Sequence, residues 1–595
     1  MKKKKILSML LATVMVAGSL AGCGSSGDTQ STSTDTSTGS KTENTTGTEA
    51  ASTEAAVEEN LDYQYGLDTT FHSDDPVTYS FFFSDASWYP MVDTWKTEGV
   101  FKKIEEVTNV TLDITSIDSG DYNQKVALMI NAGEAAYIIP KTYDESPYVD
   151  GGAIVPISDY TQYMPYFTDF VEKYNMQDDL KTITKSDGKF YRLPGMLEAP
   201  VQDYTFMIRK DLFDAAGVDV PAIEKDWTWD DLYDALVKVK EYMVSQGMIK
   251  ESDYVWSDLW CGSEVTDGSG GNLLKLMASA YDVQAGWAIG NGMLYDSDKD
   301  EWYFGPTSDN FKAYLSEVTK YVQGGILDPE TFTQDNQTAC NKFYRGETAI
   351  LSVNRSQYTS WLANLDENLG AGNYETYLCL LPRGEKTNYL PENSRLENGV
   401  MISKRALDEL GEEGFIKMIR FVDWLFYSHE AYNLTKWGVE GETYQVNADG
   451  TKSLLDGYQC GGLGIAGDES DIDIRLQWGY AGGNFYYGGT IAEMTDNFNP
   501  DIMDFVNRIT EARDVKPLDP SYVADEEENE QLNLWKTPLI DNVNTWTLQF
   551  ATGVKNVDAD WDAYVASCEG LNSITMPDYI NEIYQRTKIG RASCR

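Results

Sequence analysis

Few side chains in this sequence stand where they could do chemistry, and the clearest is a thiol. Cys23 directly follows Leu20, Ala21 and Gly22. Small residues ahead of a cysteine let a peptidase approach the chain, and the thiol can then accept an acyl group. The remaining cysteines, Cys261, Cys340, Cys379, Cys460, Cys568 and Cys594, show no C-x-x-C spacing, and only His72 and His429 accompany them. That pattern argues against a disulfide framework and a zinc site, so buried free thiols are expected. Asp296, Asp298 and Asp300 form D-x-D-x-D, but no glycine follows at the sixth position and no glutamate at the twelfth, so no calcium loop is expected. G-x-S-x-G, H-E-x-x-H, a Walker loop and a glycine-rich dinucleotide turn are missing in suitable context. With 95 acidic residues a carboxylate pair for glycoside hydrolysis is available, yet no motif singles one out.

The thiol is positioned by the run ahead of it. Lys2 to Lys5 are a positive start, and Ile6 to Leu20 are an apolar stretch too short and too poorly flanked for a spanning helix. Together with Leu20-Ala21-Gly22-Cys23 this resembles the lipobox of bacterial lipoproteins. The resemblance implies that Cys23 is diacylated, becomes the new N-terminus and anchors the protein outside the cell membrane. The alternative is a plain signal peptide with an incidental cysteine. Gly24 to about Glu59 is rich in Ser, Thr and Gly and lacks apolar periodicity, the composition of a flexible tether. As a coil it reaches roughly 30–40 Å. The formal charge of -48 excludes nucleic acid and anionic lipid head groups as direct partners, since phosphate would be repelled.

Beyond the tether, Val77 to Phe83, Val110 to Ile114 and Ala136 to Pro140 read as strands. They alternate with a helix carrying Val100, Phe101, Ile104 and Val107 on one face and another opening at Asp121. This is the pattern of an α/β lobe with parallel strands. Thr205 to Arg209 is a further strand, and Thr228 is an N-cap candidate with Asp230 and Asp231 in the first turn of the helix it opens. The second half alternates similarly, with strands at 349–353, 377–381 and 399–402 and a helix from Glu413 to Tyr427. The segment 453–490 is rich in Gly and Tyr and has no clear period, while 500–513 and 559–586 read as helical. Lys588 to Arg595 turn basic and lose periodicity, and are expected to be a tail foreign to the natural sequence.

Several segments, in this order and spacing, resemble the extracellular solute-binding proteins of sugar ABC importers, a maltose-binding-protein-like family with a large Gram-positive lipoprotein branch. They are Ile208 to Leu212 with Ala216-Gly217 and Trp227 to Leu232, then Phe343 to Ala349, Phe421 to Ser428, Trp437 to Tyr444, and finally Phe550 to Gly553 with Trp561 to Val565. Gly133-Glu134-Ala135 and the Gly/Tyr-rich insert depart from the family pattern. The resemblance implies an α/β fold of two lobes, periplasmic-binding-protein-like (type II), with a hinge and a ligand cleft between them. The expected organisation is a signal peptide at 1–22, a lipid-anchored tether at 23–75, lobe 1 at 76–193 and 400–440, a larger lobe 2 at 194–399 and 441–587, and the tail at 588–595. Crossings between lobes are expected near 191–194, 398–400 and Trp437.

A sugar site needs flat aromatics for C–H faces and polar groups for hydroxyl edges. The resemblance points to Asp85 and Trp88 past the first strand, and to Arg355 and Tyr358 after a buried one. Trp256 and Trp260, with Asp258 between them, are either a sugar platform in a polar loop or half of a helix core. Trp437 fits sugar stacking or hinge packing equally, and Trp478, Tyr480 and Tyr486 fit ligand decoration or loop packing. The implied function is that of a lipid-anchored receptor with no chemistry and no cofactor of its own. It would capture a carbohydrate, a neutral oligosaccharide by composition because no basic patch is evident, and deliver it as a monomer to ABC permease subunits. The competing readings are a surface glycoside hydrolase using paired carboxylates and a structural lipoprotein, the latter without the repeats it would normally carry.

Overall fold

Phe81, Phe82 and Phe83 divide between the two faces of one strand, and the first lobe is built around that division. In the computed structural model the described residues are 61–593, apart from 87–88, 150, 260–270, 385–386, 466, 468–469, 486–487 and 496–498. The chain enters through a hairpin of β1 (Tyr63–Gly66) and β2 (Thr69–Ser73) and continues into β3 (Val77–Asp85). Successive side chains of a strand point to opposite faces. Phe81 and Phe83 therefore join one core with Trp424 and Phe421, while Phe82 faces a smaller core with Tyr122, Val126 and Ile139. A strand covered on both faces reads as a continuous apolar run, as this one does.

β3 pairs in parallel with β4 (Val110–Asp118) and β5 (Ile138–Thr142), with Phe81 opposite both Ile114 and Ile138. β6 (Arg192–Leu197) lies two strands beyond β5, and the short strand Gly488–Gly489 closes its outer edge. The second lobe holds a three-stranded sheet centred on β7 (Tyr204–Arg209) and an outlying hairpin of β8 (Met293–Asp296) and β9 (Glu301–Phe304). β10 (Ile350–Asn354) and β11 (Thr376–Cys379) flank β7, with Met207 opposite both Leu351 and Leu378. Both pairings are antiparallel, unlike those of β3 with β4 and β5. β12 (Leu396–Ile402) returns to the first sheet between β5 and β6, antiparallel to each.

The second-lobe core is aromatic. Phe206 meets Trp229 and Trp256 edge-on at 5.9 and 5.2 Å. The helix Trp229–Ser245 starts with a full capping box, in which Thr228 and Asp231 satisfy each other's backbone N–H, as the sequence indicated. The helices Glu526–Ala551, Val557–Glu569 and Thr575–Ser593 cover this core through Leu539, Phe550, Tyr564 and Ile580. Thr575–Ser593 runs through the basic end of the chain, where Lys588 pairs with Asp300. Among the described residues no helix is long and apolar enough to cross a membrane.

Two expected boundaries move. Tyr63 and Phe71 pack into the first-lobe core, so ordered structure begins before residue 76. Tyr444, Cys460, Leu463, Ile474, Tyr480 and Phe485 belong to that same core rather than to the second lobe. The reason is local: Phe485 covers Phe81 and Phe101, each at 5.8 Å, so the Gly/Tyr-rich segment roofs β3.

Candidate functional site

Three crossings join the lobes, and hydrogen bonds hold them side by side. The first runs from β6 to β7, the second from Leu390 to β12, and the third leaves Gly489 for the helix Pro500–Ala512. Leu197 N–H donates to Arg395 O at 2.8 Å, Glu198 N–H to Gly489 O at 3.0 Å, and Glu392 N–H to Gln202 Oε1 at 3.3 Å. The first two lie a few residues past 191–194 and before 398–400. The third is far from Trp437, which is fully buried in the first-lobe core. Strands laid together in this way can bend as a unit while the lobes stay rigid.

In open α/β sheets ligands bind outside the carboxyl ends of the parallel strands. At that end of β3, Asp85 accepts from Ser116 Oγ at 2.7 Å and from Met91 N–H at 3.3 Å. At that end of β5 the ladder with β12 slips. Gly399 and Met401, two steps apart, oppose Thr142 and Ile139, three steps apart. The extra residue is a bulge, and Lys141 inside it has φ +58°. Non-glycine residues rarely adopt that conformation, and bulges beside sites re-aim side chains.

Around Lys141 the crevice wall is charged. Glu397 on β12 is exposed, yet the surrounding protein desolvates it and, with Asp203 and Glu392 nearby, pushes its carboxyl up to about 7. An exposed group that still loses hydration stands in a concavity. Tyr143 behaves alike: 65% exposed, its OH accepts from Asn398 Nδ2 at 3.4 Å, and burial of its surroundings raises its pKa. On the facing lobe Arg355 pairs with Asp203, and Lys275 pairs with Glu392 at 2.5 Å. The Lys275 ammonium lies 3.9 Å from the Trp287 ring centroid and 4.6 Å from that of Tyr204. Trp287 is 38% exposed and its Nε1–H donates to Asn272 Oδ1 at 3.1 Å, which fixes the ring plane. A fixed, half-open indole beside carboxylates is what a sugar face and its hydroxyls require.

The first lobe adds Lys436, at the end of the helix His429–Lys436, and Arg475, whose guanidinium covers the Tyr89 ring at 5.6 Å. Burial lowers both lysines to about 8, Lys436 also through repulsion from Arg475 and Arg355, and Lys141 also through Lys436 and Arg475. Lys436 on one lobe therefore feels Arg355 on the other. Among the described residues no group of three His, Cys, Asp or Glu side chains is arranged to hold a metal ion.

Of the residues singled out in the sequence, Asp85 and Arg355 stand on these walls. Trp256 does not: it is fully buried, meets Tyr321 at 5.7 Å, and donates its N–H to Asp258 Oδ2 at 2.7 Å. Tyr358 is likewise buried and donates to Asp501 Oδ2 at 2.7 Å. Trp437 and Tyr480 pack inside the first-lobe core, and Trp478 is half-buried edge-on to Tyr458 at 5.6 Å. For Trp256, Tyr358, Trp437 and Tyr480 burial leaves no surface a ligand can reach. Trp88, Trp260, Tyr486 and Cys23 lie outside the described residues. The sequence reading missed Lys141, Tyr143, Trp287, Glu397, Lys436 and Arg475. Only Trp287 carried a local signal, an aromatic after Gly286 at a turn that has φ +59°.

Residues 99–390 match the family model of the bacterial extracellular solute-binding proteins. No curated protein matches the sequence. Among solved structures, the alginate-binding protein AlgQ2 in its calcium-free form is 15% identical, with a TM-score of 0.62 over 86% of this chain and 99% of its own. An HMO-binding, ABC-transporter-associated solute-binding protein from Bifidobacterium longum infantis gives 15% and 0.64 over 86% and 98%. The S. pneumoniae ABC-transporter substrate-binding protein FusA in complex with kestose gives 15% and 0.60 over 86% and 100%. At these identities the likeness is one of fold.

Proposed function

Residues 99–390 belong to the bacterial extracellular solute-binding family, and from that premise we propose that this protein is a lipid-anchored receptor on the outer face of the cell membrane. It captures an oligosaccharide by hinge closure and delivers it to the permease subunits of an ABC importer. The observation that carries this reading is the crevice at the three crossings, with Trp287 and Arg355 on one wall and Tyr143, Glu397 and Asp85 on the other. Closure brings the walls together, and it is favoured by as much as the ligand prefers the closed state. A full reversal from 1:99 to 99:1 takes about 5.5 kcal/mol. The neighbours of similar fold include proteins described as binding HMO, kestose and alginate, which supports a carbohydrate of several units. The anchor is proposed from Leu20-Ala21-Gly22-Cys23 and the stretch ahead of it. The composition favours a neutral ligand.

The test is thermal unfolding of residues 61–595 against a panel of oligosaccharides, with small-angle scattering on any sugar that responds. A ligand at 100 times its Kd stabilises the fold by about 2.7 kcal/mol. The reading expects a melting shift, a smaller radius of gyration and the sugar recovered uncut. A shift followed by shorter sugars would replace it with hydrolysis.

A further inference from the structure

Trp287 is held in place before any ligand arrives. Its Nε1–H donates to Asn272 Oδ1 at 3.1 Å, and the Lys275 ammonium lies over one ring face, 3.9 Å from the centroid. Asn272 and Lys275 stand three residues apart on the helix Asn272–Ser279, so one side of that helix grips both the edge and a face of the indole. The turn that carries the indole packs against the same helix. A Cβ on Gly286, which has φ +59°, would stand 3.1 Å from Gly271 O and 3.2 Å from Lys275 N, so the glycine permits the close approach. With one ring face taken by the ammonium, a sugar stacks on the other.

Lys275 is only 9% exposed, and its charge is met on several sides. Glu392 Oε1 accepts from it at 2.5 Å, and the Tyr204 ring centroid lies 4.6 Å from it and 5.5 Å from that of Trp287. A nearly buried ammonium has little water to replace a partner it loses, so these groups together fix its position. Glu392 in turn holds the crossings. Its Oε2 accepts from Asp203 N–H at 2.6 Å, and its own N–H donates to Gln202 Oε1 at 3.3 Å. Asp203 pairs with Arg355, and its carbonyl oxygen accepts the Arg355 backbone N–H at 3.0 Å. A continuous series of contacts therefore runs from the exposed indole to the second-lobe ends of two crossings.

We propose that Lys275 is a positioning residue for ligand capture. It sets the plane of Trp287 and, through Glu392, keeps that plane at one orientation to the crossings while the lobes close. An indole already oriented loses little freedom when a sugar stacks on it, which leaves more of the contact for affinity. This rests on the oligosaccharide reading above and adds to the same site a residue that acts on the ligand through another.

The experiment is a double-mutant cycle on affinity, by calorimetric titration of the protein with kestose, maltotriose and an alginate trisaccharide. Lys275→Met keeps the reach of the side chain and removes its charge. It should weaken the sugar that binds by about 5- to 10-fold in the wild-type background and by less than about twofold beside Trp287→Ala, since its effect passes through the indole. Where Lys275→Met folds poorly because Glu392 has lost its cation, Lys275→Met with Glu392→Gln removes both charges and keeps an acceptor for Asp203 N–H. A purely structural ion pair would lower the melting temperature of the variant and leave affinity as it is. That outcome, or equal weakening with and without Trp287, overturns the proposal and leaves the receptor reading standing. No binding of any of the three sugars to the wild type overturns both.

Discussion

The backbone N–H of Asp203 donates to the Glu392 carboxylate at 2.6 Å, fastening the first crossing to the second where the lobes part. The other Glu392 oxygen pairs with Lys275, which is only 9% exposed at its side chain. Glu392→Ala therefore strands a nearly buried ammonium and frees a crossing segment. We expect a loss of about 2 kcal/mol in urea unfolding, below the 3–5 typical of fully buried pairs because Glu392 keeps some contact with water.

Trp256 and Trp287 should separate core from site. Trp256→Phe removes the donor to Asp258, a carboxyl that burial has already pushed up to about 6. It should cost about 1–2 kcal/mol of stability and leave ligand affinity unchanged. A loss of affinity at constant fold, measured by calorimetry, would return Trp256 to the ligand site.

Trp287→Ala should do the reverse. Losing the cation contact with Lys275 costs about 0.5–1 kcal/mol of stability. Losing a fixed stacking surface should weaken the oligosaccharide about tenfold, or about 1.4 kcal/mol. Equal affinities for the variant and the wild type would remove the indole from the site.

Glu397 links stability to pH. Its folded value of about 7 lies above its ordinary 4.5, so the fold binds the proton more tightly than the unfolded chain does. That contribution is complete below 4.5 and is lost as pH rises through 7. Asp423, buried and also raised to about 7, acts in the same window, so the comparison must be with Glu397→Gln. Unfolding midpoints at pH 5 and pH 8 should differ less in the variant than in the wild type.

Gly399 lies where β12 passes β6. A Cβ there would stand 1.9 Å from the Leu193 carbonyl oxygen, which is backbone and has nowhere to go. Gly399→Ala should cost at least about 3 kcal/mol, read as a lowered urea midpoint or as loss of soluble protein.

Much of the fold was written locally. The run from Val77 to Phe83 marked a strand, Thr228 marked a helix start, and the apolar face of Phe415, Met418, Ile419, Val422 and Leu425 marked the later part of the central helix Lys404–Tyr427. The helix Glu526–Ala551 was not legible, since Pro538 stands inside it. The direction of β10 and β11 relative to β7 was not legible either, because alternating strands and helices look the same in sequence whichever way the strands pair.

The site divides along the same line. By itself the sequence pointed to an acidic and aromatic-rich folded part and to two neighbours of the crevice, Asp85 and Arg355. Composition and short-range periodicity carry the first, and the resemblance to the solute-binding family carries the other two. Only the tertiary structure decided that Trp256, Tyr358, Trp437 and Tyr480 spend their rings on cores and that Trp287 keeps a face open. It also brought Lys275, Trp287 and Glu392 together, from a helix, the turn after it and the second crossing. No window of sequence contains that cluster, because burial and electrostatic contact depend on distances that only the folded chain defines.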